Sequence, residues 1–193
     1  MSERLRSIPN LISWFRLFLV PVLWVLALRG DEFNLGLLLA VAFISDGLDG
    51  FIARRFKLTT KFGSKLDSVA DAVLQISAWI WLFMLEPEVI RNHAWLFWTA
   101  SVISAGSMLT GLIKFGGLPN LHLYSTKAAG FFVTLFLVTT FIFEGYSAPL
   151  FYVTATLVTI GAAETFLLQL ISRKINEHMG SLILALFKRD TVS

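Results

Sequence analysis

Four aspartates are placed where chemistry is possible. Asp46 and Asp49 fall inside one long apolar stretch, and Asp67 and Asp71 fall inside the next. Ionisable groups at membrane depth are costly and usually mark a functional path. At 100° per residue, Asp46, Asp49, Gly50 and Ala53 form one narrow helical stripe, and Gly63, Asp67 and Asp71 form a second at i, i+4, i+8. The two helices are antiparallel and joined by the basic stretch RRFKLTTK. With Arg54 and Gly63 as the helix ends, a rise of 1.5 Å per residue puts Asp49 about 7.5 Å deep and Asp67 about 6 Å. Asp46 and Asp71 both come out about 12 Å deep by the same rise. The carboxylates can therefore form a two-by-two cluster. Four bare carboxylates that close could not all stay ionised. Divalent cations remove the conflict, and oxygen-only ligation favours Mg²⁺ or Mn²⁺. Four aspartates can hold two such ions about 4 Å apart, the arrangement used for in-line phosphoryl displacement.

The neighbouring residues suit a phosphorylated ligand. Gly50 and Ala53 leave a gap on the carboxylate face where a ligand can approach the backbone. Gly63 keeps the mouth of the second helix open, and Arg54 is placed to meet a phosphate bidentately. Close helix packing alone would also explain the small residues. It does not explain four aspartates in register.

The elements that position these residues are membrane spans. A transmembrane helix needs about 20 mostly apolar residues. Six stretches qualify: Leu11–Leu28, Asn34–Arg54, Ser64–Leu85, Ala94–Ile113, Lys127–Phe143 and Leu150–Ser172. Short polar connections such as RGDEF, EPEVIRNH and EGYSAP separate them. The whole chain, 193 residues with 56% hydrophobic and only 15% charged, reads as one integral-membrane domain over 1–193. The mean hydropathy is +0.73, which excludes disordered, coiled-coil and nucleic-acid-binding classes. With no cysteine, disulfide frameworks, thiolate zinc sites and cysteine nucleophiles are excluded together. The expected fold is all-α, with six transmembrane helices in a polytopic protein of the lipid bilayer. Short interfacial segments are expected at both termini, MSERLRSIPN and Ser181–Phe187.

Basic residues give the orientation. Arg4, Arg6, Arg54, Arg55, Lys57, Lys61, Lys65, Lys114, Lys127, Arg173, Lys174, Lys188 and Arg189 crowd one set of span ends. Arg29 and Arg91 lie at the other, with Asp31, Glu32, Glu86, Glu88 and Glu144, while Arg16 is inside the first span. Both termini and the aspartates are expected on the cytoplasmic side of a bacterial or archaeal cell membrane. The first span is longer than a signal-peptide core and lacks a small-residue cleavage site, so it is read as retained.

Asp46, Asp49, Gly50, Ala53 and Arg54, then eight residues, Gly63, Asp67 and Asp71 match every fixed position of a signature, eight residues over 26 positions. In this the chain resembles the CDP-alcohol phosphotransferase (CDP-alcohol phosphatidyltransferase) family. The segment Ile8-Pro9-Asn10-Leu11-Ile12-Ser13 followed by Arg16 is similar to the opening of many members. The resemblance implies transfer of a phosphatidyl group from a CDP-linked lipid, usually CDP-diacylglycerol, to a small alcohol with release of CMP. It implies that Asp46, Asp49 and Asp67 hold the metals, and that Asp71 both ligates and takes the hydroxyl proton. Gly50, Ala53, Arg54 and Gly63 would line the CDP pocket. Pairing of the chain as a homodimer is compatible with the family. The other phosphatidyltransferase chemistry uses His-x-Lys, whereas His93, His122 and His178 are followed two residues on by Trp95, Tyr124 and Gly180. The histidines are read as loop or interface residues.

The acceptor is less sharply specified. Phosphatidylglycerophosphate synthases usually show Asp-Pro and Asp-Lys where this chain has Asp67-Ser68 and Asp71-Ala72. Lys114, Lys127 and Arg173 lie at one side and can receive a phosphorylated acceptor, with glycerol 3-phosphate first and inositol phosphate next. Those three bases also satisfy the positive-inside pattern. Glu164 is expected to be hydrogen-bonded between helices. A divalent-cation transporter using the aspartates as its ion path is the alternative. It is disfavoured because all four lie in one half of the membrane and no inverted repeat or broken helix pair is evident.

Overall fold

The computed structural model describes residues 3–56, 61–115 and 123–171, with backbone alone at 3–10, 48–56, 61–62, 64, 68 and 115. Six helices follow in order: α1 (Glu3–Arg29), α2 (Glu32–Phe56), α3 (Lys61–Leu85), α4 (Pro87–Phe115), α5 (Tyr124–Ile142) and α6 (Ala148–Ile171). No strand occurs among the described residues. Five of the helices carry segments long and apolar enough to cross a membrane: Leu11–Arg29, Lys65–Leu85, Pro87–Lys114, Tyr124–Ile142 and Ala148–Ile171. Large apolar side chains such as Phe18, Trp95, Val102 and Ile113 are exposed along these helices. That surface is stable facing lipid and unfavourable facing water. The protein is an all-α integral membrane protein.

One connection differs from the sequence reading. Within the connection EPEVIRNH, residues 87–92 are helical, because Pro87 suits a first helical position and Glu88 complements the helix dipole there. The helix is interrupted at His93, where φ is −127° and ψ is 28°. His93 is buried rather than interfacial, stacked on Phe151 at 4.9 Å and edge-on to Tyr152 at 5.0 Å. At the N-terminus α1 runs unbroken from Glu3 into the apolar segment that begins at Leu11. Ser181–Phe187, His122 and His178 lie outside the described residues.

The turn between α1 and α2 explains their antiparallel start. Gly30 adopts φ +69° and donates to Ala27 O at 3.1 Å, while Asp31 N donates to Leu26 O at 3.0 Å. This pair of hydrogen bonds closes α1 as a Schellman motif. The Asp31 carboxylate then caps α2 by accepting from Asn34 N at 3.3 Å. Two residues thus end one helix and begin the next.

The chain divides into two compact units, Met1–Glu88 with Leu137–Tyr146 and Val89–Phe136 with Ser147–Ser193. In the first, α1 packs against both α2 and α3. Its buried stripe reads Ser13, Arg16, Val20, Leu23, Ala27, alternating steps of three and four. On α2 the buried residues Leu35, Leu39 and Ala42 lead by the same step to Asp46. On α3, Trp81, Ala78 and Leu74 lead back to Asp71 and Asp67. Trp24 anchors the apolar part, donating to Ser77 Oγ at 3.1 Å and meeting Trp81 edge-on at 5.7 Å. Three inward stripes therefore change from apolar to ionic at one level. Gly36 allows α2 to approach the end of α5, since a Cβ there would meet Ile142 N at 2.7 Å.

In the second unit, α5 and α6 touch at Gly161, where an added Cβ would lie 3.4 Å from Ser125 and Thr126 backbone atoms. One turn along, Ser125 Oγ donates to Glu164 at 2.5 Å. Glu164 is the interhelical hydrogen-bonded acid expected from the sequence.

Candidate metal centre

The stripes bring Asp46, Asp67 and Asp71 together. One carboxylate oxygen from each lies within 4.8 Å of the others, which suits a shared cation. Asp46 comes from α2, and Asp67 and Asp71 come from successive turns of α3. Their side chains remain 40%, 38% and 47% exposed, so each keeps surface open to a ligand. Three acidic oxygens without nitrogen or sulfur donors fit a hard divalent cation such as Mg²⁺ or Mn²⁺. Asp49 occupies its place on α2 one turn after Asp46, but its side chain lies outside the described residues. The same holds for Gly50, Ala53 and Arg54. Gly63 opens α3 one turn before Asp67.

A basic group that the sequence reading left without a role completes this centre. Arg16, on α1, is 1% exposed. Its Nη1 pairs with Asp46 Oδ1 at 2.7 Å and with Asp71 Oδ1, while Nη2 pairs with Asp67 Oδ1. Ser13, one turn earlier on α1, donates to Asp67 Oδ1 at 3.4 Å. The guanidinium lies at the back of the cluster, on the buried side, and takes one oxygen from each carboxylate. A signal for this was present. Arg16 is a lone base in an apolar span, five residues inside Leu11 and so about 7.5 Å deep, level with the aspartates.

Of the three bases considered for the acceptor, Lys114 and Lys127 have described side chains. Lys114 Nζ donates to the Gln169 and Leu170 carbonyls at 2.6 and 2.9 Å, closing the end of α6. Lys127 is exposed in the first turn of α5. Arg173 lies outside the described residues. The second unit also holds a cavity of about 300 Å³ whose lining includes Ser104, Ser107, Thr126, Thr165 and Gln169.

Comparison with known proteins agrees with this chemistry. The family described as CDP-alcohol phosphatidyltransferase matches residues 6–167, from the start of α1 into α6. A CDP-diacylglycerol–glycerol-3-phosphate 3-phosphatidyltransferase of Haemophilus influenzae is 34% identical over 95 residues, 48% of this chain and 47% of that protein. The enzyme of the same name from Escherichia coli K12 is 41% identical over 71 residues, 35% of this chain and 39% of that protein. The alignments thus span half or less of these curated relatives. No solved structure matches the chain. Matched over most of its length and carrying aspartates that converge as phosphoryl chemistry requires, the chain belongs to the CDP-alcohol phosphatidyltransferase family.

Proposed function

We propose that this protein transfers the phosphatidyl group of CDP-diacylglycerol to glycerol 3-phosphate and releases CMP. The observation that carries the reading is the convergence of Asp46, Asp67 and Asp71 from two helices within 4.8 Å, in a chain of this family. The names of the relatives support the donor and the acceptor. In the proposed step the acceptor hydroxyl oxygen attacks the phosphorus attached to diacylglycerol. The new O–P bond forms as the bond to CMP breaks, and the hydroxyl proton passes to the Asp71 carboxylate. Asp46, Asp49 and Asp67, with Asp71, would hold one or two Mg²⁺ or Mn²⁺ ions. Bound there, such ions neutralise charge on the phosphates and stabilise the departing CMP. Gly50, Ala53, Arg54 and Gly63 are proposed to receive the cytidine diphosphate. Lys114, Lys127 and Arg173 are proposed, on charge alone, for the acceptor phosphate.

The donor's diacylglycerol needs an apolar berth. A groove of about 530 Å³ is lined by Leu11, Ile12, Trp14, Phe15, Phe18 and Ser45, the last adjacent in sequence to Asp46. Its lining suits acyl chains entering from the lipid phase. By the distribution of Lys and Arg, the site is proposed to face the cytoplasm.

The decisive assay measures CMP released from CDP-diacylglycerol by purified protein with Mg²⁺ or Mn²⁺ and a panel of alcohols. Release with glycerol 3-phosphate alone is the expected result. Release with inositol phosphate alone would move the acceptor assignment. No release with any alcohol, together with metal flux into liposomes, would replace the enzyme by a transporter.

A further inference from the structure

We infer that Arg16 is a built-in counter-cation of the aspartate centre, one that weakens divalent-metal binding by charge while keeping α2 and α3 in register when no metal is bound. This rests on the reading of the centre as a metal site. Three observations lead to it. The guanidinium is 1% exposed, whereas the carboxylates it touches are 38–47% exposed. Arg16 is therefore behind the cluster and not a surface group that met an acid by chance. It touches the Oδ1 atom of all three aspartates, on two helices, from a third helix. Finally, it continues the buried stripe of α1 one step beyond Val20, so packing fixes it there.

The charge arithmetic gives the consequence. Three carboxylates sum to −3, and Arg16 brings the described group to −2, the charge that one divalent ion neutralises. A buried guanidinium stays protonated under all working conditions. It thus places a permanent positive charge beside any ion bound by the same carboxylates, where repulsion is screened less than at a surface. Metal and arginine would share one carboxylate set, the arginine on Oδ1 of each aspartate. Removing the arginine leaves three facing carboxylates without their cation, which is strongly destabilising unless another cation replaces it. The arginine is a positioning residue for the metal and the reaction, acting through the aspartates.

The test compares wild type, Arg16→Gln and Arg16→Lys in detergent or nanodiscs. Mn²⁺ binding is followed by electron paramagnetic resonance, and thermal unfolding is recorded with and without Mn²⁺. No CDP-lipid is present, so failure of the proposed reaction leaves the test intact. Arg16→Gln should lower the metal-free Tm, bind Mn²⁺ at least about tenfold more tightly, and gain more Tm from Mn²⁺ than wild type does. Arg16→Lys, which keeps the charge but loses the fork, should bind Mn²⁺ within about threefold of wild type. A purely structural role predicts the opposite, a loss of Mn²⁺ affinity on Arg16→Gln. That result overturns the inference. So does equal behaviour of the Gln and Lys variants, or the absence of Mn²⁺ binding in wild type. If Arg16→Gln cannot be obtained folded without metal, its recovery on purification in Mn²⁺ supports the inference, and failure of that recovery overturns it.

Discussion

Acids lie near both ends of the α2–α3 pair, Glu86 just beyond the last residue of α3, and the two ends handle negative charge differently. At one end Asp46, Asp67 and Asp71 converge on the buried Arg16. About 21 Å along α2 from Asp46, Glu32 faces a second acidic group. Burial raises the Glu32 pKa above the ordinary carboxylate range, and the charges of Glu86 and Glu144 add to the rise. Glu86 is raised likewise, by burial first and then by Glu88. The aspartate end carries a buried fixed cation, and at the glutamate end burial and like charge raise the carboxyl pKa values. Only the aspartates bring ligand oxygens within 4.8 Å among the described residues. Acid content alone therefore does not identify a cation site. Convergence of ligand oxygens is what sets the proposed site apart.

The comparison breaks most visibly in activity. Asp71→Asn should reduce CMP release by about 10²–10⁴-fold through loss of the proton acceptor, while Mn²⁺ binding persists through the remaining aspartates. Glu86→Gln, at the other end, should leave CMP release unchanged. Full turnover by Asp71→Asn would take the proton-accepting role away from Asp71. A large loss in Glu86→Gln would abolish the distinction between the ends.

Removal of metal sharpens the same contrast. Chelation by EDTA should stop CMP release yet leave the helical circular dichroism intact, because Arg16 still compensates the carboxylates. Extensive loss of helix on chelation would mean that the metal, and not the arginine, carries the register of α2 and α3.

These expectations also mark what the sequence made legible. Helical spacing alone placed Asp46 and Asp71 at one depth on antiparallel helices, with Asp67 one turn nearer the helix ends, and the structure brings the three together. Spans were legible because apolar runs near 20 residues have few alternatives. The start of α4 was not, since Glu86-Pro87-Glu88 reads as a polar connection until Pro87 is recognised as a first helical residue. The burial of His93 depends on Phe151 and Tyr152, nearly 60 residues away in sequence. Arg16 is legible only as a base inside the first span, since its partners lie on other helices and no local pattern names them. Periodicity reports which face of a helix is turned inward. It does not report what the facing helix offers.

Two glycines of α2 test the packing at each end. Gly36→Ala would drive a methyl group against Ile142 N at 2.7 Å and Ile142 Cγ1 at 2.8 Å, costing about 1–3 kcal/mol. Gly47→Ala, one residue from Asp46, meets nothing within 4 Å. It should be neutral, or stabilising by up to about 1 kcal/mol through helix propensity. Thermal unfolding of the two variants measures the difference. Equal stability would show that the approach of α2 to the end of α5 is readily relaxed.

The smallest effect concerns the glutamates. A carboxylic acid whose pKa is raised on folding binds its proton more tightly in the folded state than in the unfolded one. Its contribution therefore disfavours folding progressively as pH rises from the ordinary carboxylate range through the raised folded value. Glu32 and Glu86 are both raised, so their destabilising effect is absent in acid and complete above the raised values. Glu32→Gln removes one titrating charge and relieves its neighbours. The variant should match wild type near pH 4 and exceed it slightly in Tm near pH 8. Solvent screening at this partly exposed position keeps the shift to about one or two degrees. A difference that grows toward acid, or is constant with pH, would mean that the glutamate end does not store its charge as bound protons, and the two ends would then differ in geometry alone.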